Sequence, residues 1–278
     1  MSKSVLIKSS LAKKYWMALT GLFLCLFLVG HLAGNLQLFI SGEAGKLQFN
    51  EYALFMTTNP AVKILSYVTY LSILFHAIDG ILLTIQNKKA RPTAYAMSQP
   101  SANSSFASRN MALLGTIILV FIATHMVNFW AKMHFDELPL QTVTIGSPEN
   151  QTTQELYITT TGTYLPVNGV EIRNNTQLFD KTYDIKVGEG YKDLHKIVLD
   201  FFNPQVNDMA LLFMLIYVIS MAAMAFHLVH GFQSAFQSLG MRHKKYTPII
   251  QKIGFAFAII VPLAFASIPV YLFLTQQS

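Results

Sequence analysis

Five apolar runs divide the chain, at roughly 16–40, 61–86, 111–131, 209–235 and 249–274. Each is about as long as a helix must be to cross ~30 Å of hydrocarbon. They are expected to form five transmembrane helices, I to V. The first run is too long for a cleavable signal peptide and no small-residue cleavage site follows it, so it is expected to stay in the mature chain. One long polar connection, about 135–206, separates III from IV. Its stretches TVTIG, LYITTTGTYLPVNGVEI and YDIKV are rich in Thr and β-branched residues with turn residues between them. That pattern predicts a small β-containing cap, closing with a short amphipathic helix near 191–202. The expected architecture is an all-α integral membrane protein with one β-containing cap. Residues 1–134 hold the N-terminus and helices I–III, 135–206 the cap, and 207–278 helices IV–V.

Composition agrees with the pattern. Apolar residues make up 53% and charged residues 12% of the 278 positions, too greasy for a soluble domain of this length. The basic residues are placed asymmetrically. Lys3, Lys8, Lys13 and Lys14 precede helix I; Lys88, Lys89, Arg91 and Arg109 lie between II and III; Arg242, Lys244, Lys245 and Lys252 follow IV. None of these segments carries an acid, whereas the opposite loops hold Glu43, Glu51, Asp136, Glu137, Glu149 and Glu155. By the positive-inside rule the N-terminus is cytoplasmic and the C-terminus lies outside. The net charge of +6 belongs to this bias and carries no nucleic-acid signal. The single Cys25, mid-helix, excludes a disulfide within the chain and reads as core packing.

Four histidines change the picture: His31, His76, His125 and His227, one in each of helices I–IV. An ionisable ring in a bilayer core is costly and normally marks a functional site. With cytoplasmic helix ends near 15, 87, 109 and 238, His31 and His125 each lie about 24 Å from that end. His76 and His227 each lie about 16 Å from it. Two imidazoles must meet one iron at equal depth, so the natural pairs are His31 with His125 and His76 with His227. Glycines follow the same pairing. Gly21 and Gly115 precede His31 and His125 by ten residues, and Gly80 and Gly231 follow His76 and His227 by four. A flat macrocycle needs such room near the backbone, although small residues also serve plain helix–helix contact in membranes. The simplest reading is two haems, each low-spin and held by two imidazoles, within a bundle of helices I–IV.

Other readings compete. A lone intramembrane His is often only a hydrogen-bonded packing residue. Zinc or copper would want further Cys, Asp or Glu at the same depth, and Asp79 is the one acid within the spans. His230, three residues after His227, could replace it as ligand but fits the depth of His76 less well. It is assigned to the surroundings of the haem, or to its propionates. His134, His195 and His243 read as interfacial or solvated residues.

At these residues the chain resembles a known family. WMALTGLFLCLFLVGHLAGN, FHAIDG, GTIILVFIATHMVNFW and AFHLVHGF look like the four ligand segments of the single-chain, two-haem b558-type cytochrome b anchors of succinate dehydrogenases and fumarate reductases. The Bacteroidetes-like branch is the nearest. The resemblance covers about 10–134 and 207–274, and the ligand positions fall on His31, His76, His125 and His227. The cap is longer than in the better-known members, and the match does not extend to it.

The resemblance implies a respiratory complex in the bacterial inner membrane. A flavoprotein with FAD would interconvert succinate and fumarate, an iron–sulfur subunit would relay electrons, and this chain would anchor both. Of two haems b, the inner (His76, His227) would face the iron–sulfur subunit and the outer (His31, His125) would serve menaquinone. Some members carry an essential acid near the outer haem, at the start of helix II; Glu51 is the candidate here, against a reading as a solvated loop acid. Certain fumarate reductases have a glutamate two residues before the helix IV ligand, where this chain has Ala225. The alternatives are a dihaem subunit of another quinone-linked enzyme, such as a formate dehydrogenase or hydrogenase, and a transporter using the histidines as relays.

Overall fold

The computed structural model describes residues 10–90, 99, 102, 104–146 and 153–276. Lys3, Lys8, Arg91 and Glu149, which contribute to the charge asymmetry, lie outside them. The chain is mostly helical, and five helices are long and apolar enough to cross a membrane: Leu11–Phe39, Pro60–Lys89, Met111–Phe135, Ala210–Ser238 and Thr247–Thr275. It is a multi-pass membrane protein.

Two compact units make up the fold. The first, the span unit, takes the described residues within 1–35, 64–123 and 211–271; the second, the loop unit, takes those within 36–63, 124–210 and 272–278. The spans are α1 (Ser10–Asn35), α3 (Pro60–Lys89), α4 (Met111–His125), α6 (Ala210–Ser238) and α7 (Thr247–Thr275). The helix between the first two spans is α2 (Gly42–Thr58).

The junction of α2 and α3 follows from two residues. Asn59 ends α2 by donating its N–H to the Phe55 carbonyl at 3.0 Å. Its side-chain Oδ1 then accepts from the N–H groups of Ala61 and Val62 at 2.9 and 3.3 Å, capping α3. Pro60 occupies the first helical position, where its missing N–H costs nothing. Within α7, Pro262 and Pro269 are tolerated inside a membrane-spanning helix. Gly254 of α7 lets the Phe232 ring of α6 approach, since a Cβ there would stand 2.5 Å from Cδ1.

The loop unit is built from α2, the far end of the third span, two small antiparallel sheets and α5 (Leu194–Phe202). One sheet is β1 (Thr142–Gly146), β2 (Thr153–Ile158) and β3 (Tyr164–Pro166); the other is β4 (Val170–Arg173), β5 (Gln177–Asp180) and β6 (Lys186–Glu189). Leu140, Val170 and Leu178 form its apolar core, with Tyr157, Leu165 and Val187 packed around them. Helix α5 buries His195, Val198 and Phe202, at spacings of three and four residues that share one face. Helix α2 likewise buries Gly45, Phe49, Asn50 and Ala53. At Gly45 only glycine fits, because a Cβ would stand 2.1 Å from the Ile40 carbonyl oxygen.

Candidate functional site

The span unit brings His76 of α3 and His227 of α6 together. Their ring centroids are 6.2 Å apart and their planes differ by 67°. A metal–imidazole bond is about 2 Å, and the ring centre lies about 1 Å behind the bonding nitrogen, so two axial imidazoles on one iron stand about 6 Å apart. Both ring planes can contain the axis while being rotated about it, so the angle is compatible with shared ligation.

The protonation of His76 follows from its neighbours. Its Nδ1 lies 3.2 Å from the Met17 carbonyl oxygen and 3.3 Å from Thr20 Oγ1. The Thr20 hydroxyl is within 2.8 Å of the Trp16 carbonyl, to which it donates, so its oxygen offers His76 only a lone pair. Both neighbours are therefore acceptors, and Nδ1 carries the proton. That leaves Nε2 as the lone-pair nitrogen, the tautomer a metal-ligating histidine adopts when a backbone carbonyl holds its other nitrogen. His227 contributes a different sign: its Nδ1 is buried with no hydrogen-bond partner. An orphaned polar atom of this kind is costly in an apolar interior and calls for an explanation. Donor type and spacing at this pair, with the tautomer of His76, fit a haem iron.

The glycines sit across from this same pair. A Cβ on Gly21 would stand 3.1 Å from His76 Cε1, and one on Gly115 would stand 3.7 Å from His227 Cε1. One on Gly231 would lie 3.9 Å from His227 Cδ2, while one on Gly80 would meet nothing within 4 Å. So Gly21 and Gly115, whose sequence offsets tie them to His31 and His125, border the imidazoles of the other two histidines. His230 is hydrogen-bonded instead, its Nε2 3.1 Å from Ser234 Oγ.

No family model, no curated protein and no solved structure matches this chain.

His31 belongs to the span unit and His125 to the loop unit. The His31 ring stacks on Phe27 at 5.3 Å and tilts against Phe265 of α7 at 5.6 Å. Asn35 donates to the His31 carbonyl at 2.8 Å, and its amide nitrogen also lies 3.4 Å from Nδ1. His125 ends the regular α4; a π-helical turn, Met126–Ala131, follows at once, then Lys132–Phe135. The His125 ring meets the edge of Phe129 at 5.4 Å. Among the described residues, no group of three or more His, Cys, Asp and Glu is placed to hold a metal.

The structure places Glu51, the candidate acid, ahead of the second span. Glu51 lies within α2, nine residues before that span opens at Pro60. The reason is the Asn59–Pro60 boundary, which stops one helix and starts the next. Tyr191 donates its hydroxyl to Glu51 Oε1 at 3.4 Å. Burial pushes the Tyr191 hydroxyl above its usual range, and the Glu51 charge adds to the rise.

Beside Glu51 lies a buried polar network that the sequence pattern does not announce. The Asn50 amide donates to Gln141 Oε1 and Asp193 Oδ1, both at 3.0 Å, and its own Oδ1 accepts the His195 N–H at 2.9 Å. Lys46 pairs with Asp193 Oδ2 at 3.0 Å, and Asp193 also caps α5 by accepting the Lys196 N–H at 3.0 Å. Burial pushes His195 below the ordinary histidine range, Asp193 pulls it back and Lys46 adds to the lowering. The sequence clue is the Asp-Leu-His-Lys start of an amphipathic helix. Nothing in the sequence names Asn50 or Gln141 as its partners.

Proposed function

We propose that this chain is the membrane-anchor cytochrome b subunit of a succinate:quinone oxidoreductase, holding two haems b through His76 with His227 and His31 with His125. The carrying observation is the His76–His227 pair: ring centroids 6.2 Å apart, with the Nδ1 proton of His76 committed to acceptors on α1. Bound haem would supply one-electron transfer, and two imidazoles per iron leave no open position for oxygen. The chain's own part is to hold the rings. Met17 and Thr20 fix the His76 tautomer, Gly21 and Gly115 keep side chains off the imidazoles, and the apolar helix walls exclude water.

In this reading the basic segments face the cytoplasm, where a flavoprotein with FAD and an iron–sulfur subunit dock. The His76–His227 haem is the inner one. His31 and His125 would hold the second haem, toward the outer face, where it would supply electron exchange with menaquinone, with Glu51 as the proton-carrying acid beside the quinone. Electrons then cross most of the bilayer, at about 2.3 kcal/mol per charge for each 100 mV. Succinate oxidation by menaquinone is therefore expected to slow when the membrane potential is collapsed. The absence of a glutamate at Ala225 removes one route of proton compensation.

Purification of the chain with its bound subunits from native membranes tests the proposal. Co-purifying flavoprotein and iron–sulfur subunits, b-type bands in the reduced-minus-oxidised spectrum and succinate–quinone activity support it. Formate or hydrogen oxidation by the purified complex assigns the chain to a different partner. A haem-free protein ends the cytochrome reading.

A further inference from the structure

The turn that follows His125 is not ordinary. Its hydrogen-bonding is π-helical over Met126–Ala131, a form that is rare and concentrates at functional sites. One extra residue in a turn rotates everything beyond it by about 100° relative to what precedes it. The ring four residues on, Phe129, packs edge-on against His125 at 5.4 Å. Phe129 is in turn gripped from α5: its centroid lies 5.1 Å from Phe201 and 6.5 Å from Phe202, which is itself only 3% exposed.

Helix α5 is also fixed within the loop unit. Its cap, Asp193, is held by Asn50 and Lys46 of α2, and α5 packs against both α2 and the π turn. An uninterrupted line of contacts therefore runs from a buried ion pair, through an amphipathic helix, to a ring touching the imidazole of His125. Packed aromatic rings in staggered wells resist rotation, so such a clamp restricts the orientation of the ring it touches.

We infer that Phe129 is a positioning residue for His125, and that the segment between the third and fourth spans, through Phe201 and Phe202, sets the orientation of that imidazole. The inference rests on the reading of His125 as a haem ligand. On that reading, the orientation of an axial imidazole tunes the electronic state of the iron, so the loop unit adjusts one haem of the two.

The test uses the full chain, purified with its haem, and reads low-spin electron paramagnetic resonance and redox titration. His125→Ala first identifies which haem signal depends on His125. Phe129→Leu and, separately, Phe202→Leu are then expected to shift the g-max and midpoint potential of that signal alone, with both haems retained. Phe129→Tyr, which keeps the ring, is expected to restore the original values. If Phe129→Leu and Phe202→Leu leave the His125-dependent signal unchanged, or move both haems equally, the positioning role is overturned while the ligand assignment stands. If His125→Ala retains both haem signals, the ligand reading itself fails and the inference falls with it.

Discussion

Gly21 and His76 are matched across two helices: a Cβ on Gly21 would stand 3.1 Å from the Cε1 of the His76 ring. That is tight for a methyl group and prohibitive for a branched side chain, because His76 is tethered on its other nitrogen to Met17 and cannot swing away freely. Gly21→Leu is therefore expected to displace the ring and, on the proposed haem reading, to cost the protein one haem. Gly30, on the same helix, serves as the control, since a Cβ there would meet nothing within 4 Å. Gly30→Ala is expected to keep the full haem absorbance, and equal loss in both variants would show that Gly21 has no special relation to the site.

The choice between His227 and His230 can be settled on one helix. His227 faces His76 and leaves a buried nitrogen without a partner, whereas His230 is bonded to Ser234. On the proposed haem reading, His227→Ala is expected to lose one haem by absorbance, and His230→Ala to keep both. The reverse result would move the ligand three residues along α6.

Asp193 is nearly sealed from solvent and satisfies Lys46, Asn50 and the start of α5 at once. Removing it takes away the cap of α5, worth about 1 kcal/mol, and leaves the partly buried Lys46 charge and the Asn50 amide without their acceptor. Asp193→Ala is thus expected to raise hydrogen exchange sharply across Leu194–Phe202 while leaving the five spans protected. Unchanged exchange in α5 would show that the network is not what holds it.

Acid should loosen the same region. His195 has its pKa lowered by burial, so the unfolded chain binds the extra proton more readily than the folded one. The stabilisation is fully present above the ordinary histidine value of about 6.5 and is lost as pH falls below it. Hydrogen exchange of α5, corrected for intrinsic rates, is expected to rise from pH 7.5 to pH 5.5, and His195→Gln is expected to flatten that dependence.

The spans are legible in the sequence because a bilayer demands long apolar helices, and the five runs lie within a few residues of the helices observed. The strand Thr142–Gly146 is equally plain as TVTIG, and α5 lies within its expected range. Helix α2 is not, since its buried face mixes Gly45 and Asn50 with Phe49 and Ala53 and so reads as weakly apolar. Counting residues from helix ends gives only rough depths, because the first span already includes Ser10, ahead of the expected end near residue 15. The partners of His76 are hidden for a different reason. Met17 acts through its backbone carbonyl, which no side-chain pattern announces, and Thr20 acts only because Trp16 already takes its proton. The π turn after His125 likewise has no residue signature in MVNFWA.

The most direct test is haem stoichiometry: a pyridine haemochrome assay on the purified chain, set against protein mass from amino-acid analysis. Two b-type haems per chain are expected, one for each histidine pair. One haem per chain, or none, in protein saturated with haem would contradict the two-pair arrangement.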